Sequence, residues 1–111
     1  MRGISAYVPH KHTDPMEHPE HTPQDVYNRN HDIVANARMI IAYVGEPSIG
    51  VGGELEIAKN NDTEIIIHFF RNEKVSRMAR GNPSVVTEIT YETEDECLEK
   101  IREFLGSKKS S

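Results

Sequence analysis

At 111 residues, with 36% hydrophobic and 28% charged side chains, the chain is sized for one domain with a modest core. A net charge of −5 argues against a broad nucleic-acid-binding face, which needs a basic stripe, although a few cations or backbone N–H groups suffice for a small anion. The single cysteine, Cys97, excludes an intramolecular disulfide, apolar runs such as 39–44 are far too short to span a bilayer, and the opening MRGISAYVPHKH has no signal-peptide core, so a cytoplasmic protein that gains from oligomerisation is expected.

Residues 4–8 read as a short strand ended by Pro9, and residues 9–22 as a polar loop rich in histidine and proline. Thr22 offers an N-cap, Pro23 suits the first helical position and Asp25 follows three residues after the cap. A helix is therefore expected over 23–36, with Val26, Ile33, Val34 and Ala37 as its apolar stripe. The continuous apolar run 39–44 suits a parallel strand buried on both faces. A turn at 45–48 leads through Ile49-Gly50-Val51-Gly52-Gly53-Glu54 into a helix that Asn60, Asn61 and Asp62 end. Residues 63–70 form a second buried strand, 76–80 a short helix closed by Gly81, and 84–91 a third core strand. Thr93 with Glu96 makes another capping box, Cys97, Leu98, Ile101, Phe104 and Leu105 mark the buried face of a last helix, and the tail 107–111 is expected to be disordered. Strands alternating with helices imply a parallel sheet with right-handed crossovers, in which ligands bind beyond the carboxyl ends of the strands.

The turn after residue 44 is such a place. Gly50, Gly52 and Gly53 let backbone N–H groups approach a ligand closely, and a helix N-terminus adds partial positive charge. Glu54 is expected in the first helical turn, where its carboxylate stays ionised. Beside a sugar, such a group attacks an anomeric carbon or stabilises an oxocarbenium-like transition state. Residue types alone also admit a carboxylate that merely favours the helix dipole, next to glycines that merely make a tight turn.

The stretch 37–58, an apolar strand followed by Pro47-Ser48-Ile49-Gly50-Val51-Gly52-Gly53-Glu54, resembles the signature of the 2'-deoxynucleoside 5'-phosphate N-hydrolase / nucleoside 2-deoxyribosyltransferase superfamily. Val75-Ser76-Arg77-Met78-Ala79-Arg80-Gly81 is similar to a second block of its N-hydrolase branch, and the likeness extends over residues 22–105. The resemblance implies a three-layer, Rossmann-like (flavodoxin-like) α/β domain over 1–106, with a parallel sheet of about four strands. It implies that Glu54 is the nucleophile opening the bond between deoxyribose and base. Ser48 then binds the 5'-phosphate, Ser76 adds to a phosphate site from a neighbouring subunit, and the backbone of Gly50 and Gly52 lines the sugar. Ser48 points to nucleotides over nucleosides, because the transferase branch carries an acid there; a serine that only caps the helix is the alternative.

The chain departs from this family pattern in places. The family carries an aspartate, the partner acid for the leaving base, where the motif aligns Asn30. Asn30 lies on the apolar stripe between Val26 and Ile33, so it should face the sheet, and Asp32 cannot replace it because two residues rotate about 200° around a helix. An asparagine holds a ligand but supplies no acid proton, which leaves Asp14, His10, His12 and Glu46 as candidate proton donors. Arg38 stands where the family has an aspartate, either facing phosphate or as a cation at a helix end. The family's first strand and helix have no counterpart, residues 4–8 matching its second strand. Because that first strand is central, a gap with unpaired backbone groups is expected. A longer reading frame or another chain would fill it, or the protein is a shortened, inactive relative.

His10 and His12 follow the first strand at the ligand-binding end, and His10 is a candidate substrate contact. With His18 and His21, their spacing matches no familiar zinc site. Arg71, Lys74, Arg77 and Arg80 form a basic group near Ser76, as a phosphate site or as a solvated patch. Cys97 reads as core and Glu56 as solvent-facing. The expected function is cleavage or transfer at the N-glycosidic bond of 2'-deoxynucleoside 5'-monophosphates, by a hydrolase or deoxyribosyltransferase with no cofactor and no metal. The alternatives are a non-catalytic nucleotide-binding or sensing module of the same fold and, more distantly, a ribosyl-phosphate hydrolase. The expected partners are a deoxynucleoside monophosphate or nucleoside and a second copy of the chain as a dimer, with no nucleic-acid polymer and no membrane.

Overall fold

The computed structural model describes residues 6–7 and 22–110, with side chains for 22–107, so His10, His12, Asp14, His18 and His21 lie outside the described residues. The elements in chain order are β1 (Ala6–Tyr7), α1 (Pro23–Asn36), β2 (Met39–Tyr43), α2 (Ile49–Asn60), β3 (Glu64–Phe70), α3 (Arg77–Arg80), β4 (Val85–Tyr91) and α4 (Glu94–Ser110). The start of α1 is the one its sequence dictates. The Thr22 hydroxyl accepts from Asp25 N at 3.1 Å, the Asp25 carboxylate accepts from Thr22 N at 3.2 Å, and Pro23 takes the first position.

The end of α2 is equally local in origin. Thr63 N donates to Ala58 O at 2.9 Å and Asp62 N to Lys59 O at 3.4 Å, the paired bonds of a Schellman motif. Asp62 takes the left-handed conformation this needs, with φ 58°. Thr63, fully buried, then donates its hydroxyl to the carbonyls of Val34 and Ala37 at 3.1 and 3.2 Å, tying the end of α1 to the start of β3.

The sheet is parallel throughout, in the order β1-β2-β3-β4. Each strand joins its sequence neighbour, so right-handed crossovers place the connecting helices on one face. That face is packed by Val34 of α1, Val51, Leu55 and Ala58 of α2, and Ala79 of α3, against Ile40, Ala42, Ile65, Ile67 and Phe69. The opposite face carries Met39, Ile41, Ile66, Ile89 and Tyr91 against Cys97, Ile101, Phe104 and Leu105 of α4. The result is the three-layer α/β arrangement of about four strands. Consecutive residues of β2 and β3 feed different faces, which is why these strands read as unbroken apolar runs. Burying a side chain such as Ile65, Ile66 or Ile67, each with no exposed surface, contributes about 1.5–3 kcal/mol.

Several expectations need correction. The expected gap is absent among the described residues: β1 pairs directly with β2, Ala6 opposite Met39 and Tyr7 opposite Ile40. Unpaired buried backbone groups are costly, and closing the strands together removes them. The order of the described strands consequently has no reversal, and the crevice that a reversal creates in doubly wound sheets is missing from them. At the other terminus, α4 continues to Ser110, through the segment expected to be a disordered tail. Leu98 is 55% exposed: it lies about 100° round the helix from Cys97, at the outer edge of the stripe of Cys97, Ile101, Phe104 and Leu105. The second capping box is half closed: Thr93 Oγ1 accepts from Glu96 N at 3.2 Å, but the Glu96 carboxylate accepts from Glu92 N at 2.8 Å.

Candidate active site

The segment that follows β2 folds differently from the glycine turn expected of it. Ser48 is extended, with φ −149° and ψ 122°, and its Oγ accepts from Val51 N at 3.2 Å, so the helix begins at Ile49. Gly50, Gly52 and Gly53 are helical residues, and no glycine among the described residues has positive φ. Glu54 therefore falls in the second turn of α2, not the first. A capping serine supplied the start signal ahead of the glycines, and Ser48 does what its capping alternative stated.

The glycines have no packing explanation among the described residues. A Cβ built at Gly52 or Gly53 meets nothing within 4 Å, and one at Gly50 meets Ser48 Oγ at 3.8 Å. Glycine in a helix costs up to about 1 kcal/mol relative to alanine. Three of them in the first two turns therefore weaken the helix with no local structural return.

Helix geometry divides the proposed residues between two flanks of α2. A cleft of about 460 Å³ opens between α2 and α3, beyond the carboxyl end of β2. Val44, Val51 and Leu55 give it apolar walls, Glu46, Ser48, Gly52 and Glu56 line it from the α2 side, and Ser76, Met78, Ala79 and Asn82 from the α3 side. Ser48 and Ser76 thus share one cleft within a single chain. Each caps its own helix: Ser76 Oγ accepts from Met78 N and Ala79 N at 3.1 and 3.4 Å. A cap uses the hydroxyl's lone pairs and leaves its proton for an acceptor.

Glu54 does not line this cleft. Two residues from both Gly52 and Glu56, it is turned about 200° from them, on the flank it shares with Gly50 one turn earlier. It is 8% exposed, so its carboxylate is not presented to bulk solvent. Helical side chains lean toward the N-terminus, so the missing side chain at Gly50 clears the ground in front of Glu54. Ser48, at the tip of the helix, is adjacent to both flanks.

Asn30 is half-buried on α1 and takes no part in the cleft. Arg38 is exposed and precedes β2, so it lies at the amino end of the sheet, away from the cleft. The basic group does not act as a unit. Arg71 pairs with Glu92 and Glu96 at 2.5 and 3.2 Å, and Arg80 grips Glu88 at 2.8 and 3.0 Å while standing 5.8 Å over the Phe69 ring. Cys97 is buried, as read, and Glu56 is exposed beside Lys59 at 3.4 Å. Among the described residues there is no cluster of metal-ligating side chains and no helix long and apolar enough to cross a membrane.

No protein-family model matches the chain. It is 30% identical over 83 residues to the Syntrophotalea carbinolica protein named "Putative 2'-deoxynucleoside 5'-phosphate N-hydrolase 1", a match covering 73% of this chain. The chain spans 58% of that relative's length. Its fold is that of the Clostridium botulinum CMP N-glycosidase BcmB, with a TM-score of 0.70 at 20% identity, over 87% of this chain and 97% of the other. The match to the S. carbinolica protein supports the resemblance to the 2'-deoxynucleoside 5'-phosphate N-hydrolase / nucleoside 2-deoxyribosyltransferase superfamily.

Beyond this superfamily's motif, the structure gathers polar residues that the sequence reading missed. At the carboxyl end of the sheet, the rings of Tyr43, His68 and Tyr91 lie in a row across three strands, with centroids 5.6 and 5.8 Å apart. His68 Nδ1 and the Tyr91 hydroxyl are hydrogen-bonded at 2.8 Å, and Cys97 Sγ lies 3.7 Å from the same nitrogen. The Tyr43 hydroxyl donates to the Glu73 carboxylate. Burial lowers the His68 pKa, opposed in part by Glu73. Burial, then the hydrogen bond and charge of Glu73, push Tyr43 up to about 12, and burial raises Tyr91 and Cys97 also. The available signal was a polar ring interrupting each apolar run near its end. Asn82 was missed too: buried, it donates to Leu55 O at 3.2 Å and accepts from Ser84 N at 2.9 Å, fixing α2 against the entry to β4.

Proposed function

We propose that this chain carries the site for N-glycosidic cleavage of a 2'-deoxynucleoside 5'-monophosphate, with Glu54 as nucleophile. The observation that carries the reading is a buried carboxylate one turn behind a helical glycine, at the carboxyl end of a parallel sheet. The unforced glycines, which keep the head of α2 bare, and the name of the S. carbinolica relative support it.

In this reading the nucleotide lies across the tip of α2. The phosphate accepts hydrogen bonds from the Ser48 and Ser76 hydroxyls at the mouth of the cleft, and the deoxyribose rests over Gly50 against Glu54. A Glu54 oxygen bonds to C1' as the C1'–N bond breaks, the electron pair leaving with the base, which takes up a proton. Water then attacks C1', releases the carboxylate and yields deoxyribose 5-phosphate. Asn30, which takes no part in the cleft, supplies no proton. Of the candidate donors, Glu46 is the one among the described residues, and it lines the cleft.

The presence of Asn30 where the superfamily has an acid favours a second reading, a nucleotide-binding module without turnover. Incubation with each deoxynucleoside monophosphate, followed by chromatography for free base, separates the two. Release by the wild type that is lost in Glu54→Gln supports the enzyme. Binding of the nucleotide with no release from either protein supports the module, and neither binding nor release defeats both.

A further inference from the structure

We infer that Glu73 is a positioning residue, a clasp that locks the loop carrying Ser48 to the loop carrying Ser76 and so sets the spacing of the two serines. The inference rests on the proposed reading of the cleft mouth as a phosphate site. Glu73 lies between β3 and α3, and its two carboxylate oxygens reach different segments. Oε1 accepts from Phe70 N at 2.7 Å, and Oε2 accepts from the Tyr43 hydroxyl at the end of β2. In the last rung between β2 and β3, Val44 N donates to the His68 carbonyl at 3.0 Å. Phe70 N is the next donor along β3, and there the Glu73 carboxylate takes the place of a strand acceptor.

Gly45 is the third part. A Cβ at this position would lie 2.1 Å from Glu73 Oε1 and 2.4 Å from the Tyr43 hydroxyl oxygen. Its φ is not positive, so a side chain here would not strain the backbone but would push the Glu73 carboxylate and the Tyr43 hydroxyl out of place. The chain passes Gly45 with its backbone pressed against the clasp and reaches Ser48 three residues later. On the other side Glu73 N donates to Phe70 O at 2.9 Å, closing a tight turn, and Ser76 follows three residues on. Both serines therefore hang from the same carboxylate, each by a short segment. His68 lies against the Tyr43 ring, and Tyr91 against His68.

The test combines amide hydrogen exchange with ligand preference in the full chain. The variants are Glu73→Ala, Gly45→Ala, Tyr43→Phe and Glu73→Gln. Glu73→Ala and Gly45→Ala, made from opposite loops, should each speed exchange by about tenfold or more in both 44–48 and 71–76, with β2 and β3 interiors unchanged. Affinity for a deoxynucleoside monophosphate should fall about tenfold, with affinity for the same deoxynucleoside within about twofold of wild type. A merely structural defect would lower both affinities together. Glu73→Gln should restore near-wild-type behaviour, because its amide accepts from Phe70 N and donates to a turned Tyr43 hydroxyl. Should Glu73→Ala fail to fold, Tyr43→Phe, which removes one bond and keeps the ring, carries the same expectation at smaller size. Unchanged exchange over 44–48 in Glu73→Ala, or in Tyr43→Phe as its substitute, overturns the clasp, as does a parallel loss of both affinities. A wild type that binds neither nucleotide nor nucleoside refutes the proposed function instead, and the exchange result alone then decides whether the clasp exists.

Discussion

Substituting Ser48 by alanine and by aspartate separates helix capping from phosphate binding. The hydroxyl accepts from Val51 N at 3.2 Å, and α2 has three glycines in its first two turns, so little else holds that end in helical form. Loss of a serine cap costs about 0.5–2 kcal/mol, and the glycines place Ser48→Ala toward the upper part of that range. For a domain of this size, 1 kcal/mol lowers Tm by about 4–8 °C. Aspartate caps as well as serine and adds a favourable charge at the helix N-terminus, so Ser48→Asp should match or exceed the wild-type Tm. Its carboxylate would meet a bound phosphate at about 4 Å. At that distance like charges repel by about 1 kcal/mol in water and about 4 kcal/mol near a protein surface, which is roughly fivefold to several hundredfold in Kd. Thermal unfolding and calorimetric titration with a deoxynucleoside monophosphate, repeated at high salt to screen the repulsion, measure both effects. If Ser48→Asp binds the monophosphate as tightly as wild type does, Ser48 does not face a phosphate, and the nucleotide's placement across the tip of α2 is wrong.

Two further predictions concern stability. Because burial holds the folded His68 pKa below the ordinary 6.5, the unfolded chain takes up this proton first as pH falls, so His68 should destabilise the fold progressively below about pH 6.5. Urea unfolding between pH 7 and 5 should show a steeper loss for wild type than for His68→Gln; equal slopes refute the assignment, since the other five histidines are common to both. Asp62→Gly should raise stability by about 0.5–1 kcal/mol, because φ 58° is strained for an aspartate and relaxed for glycine, and a drop in the denaturation midpoint would show that the aspartate side chain matters more than the backbone.

Much of the secondary structure was legible because its signals are local. The cap and proline at Thr22–Pro23, the Asn-Asn-Asp stop after α2 and the serine before α3 each act over three or four residues, and the strands announce themselves as apolar runs. The site was legible as a motif but not as a shape. One capping bond at Ser48 moved the helix start ahead of the glycines, and since each residue turns a helix by about 100°, that shift helps decide which flank Glu54 occupies relative to Gly52. Tyr43, Glu73 and Gly45 could not be associated beforehand, because their contacts join segments about 30 residues apart in the chain.

The amino acids by themselves determined where α1 begins and where α2 ends, that β2 and β3 are buried on both sides, and which carboxylate the superfamily motif singles out. Tertiary structure alone decided that β1 closes against β2, that Ser48 and Ser76 meet at one cleft while Glu54 lies round the helix from it, and that a carboxylate joins their two loops. The division has a physical cause: caps and hydrophobic periods are set by near neighbours, whereas strand pairing and the meeting of loops depend on how separately formed elements pack.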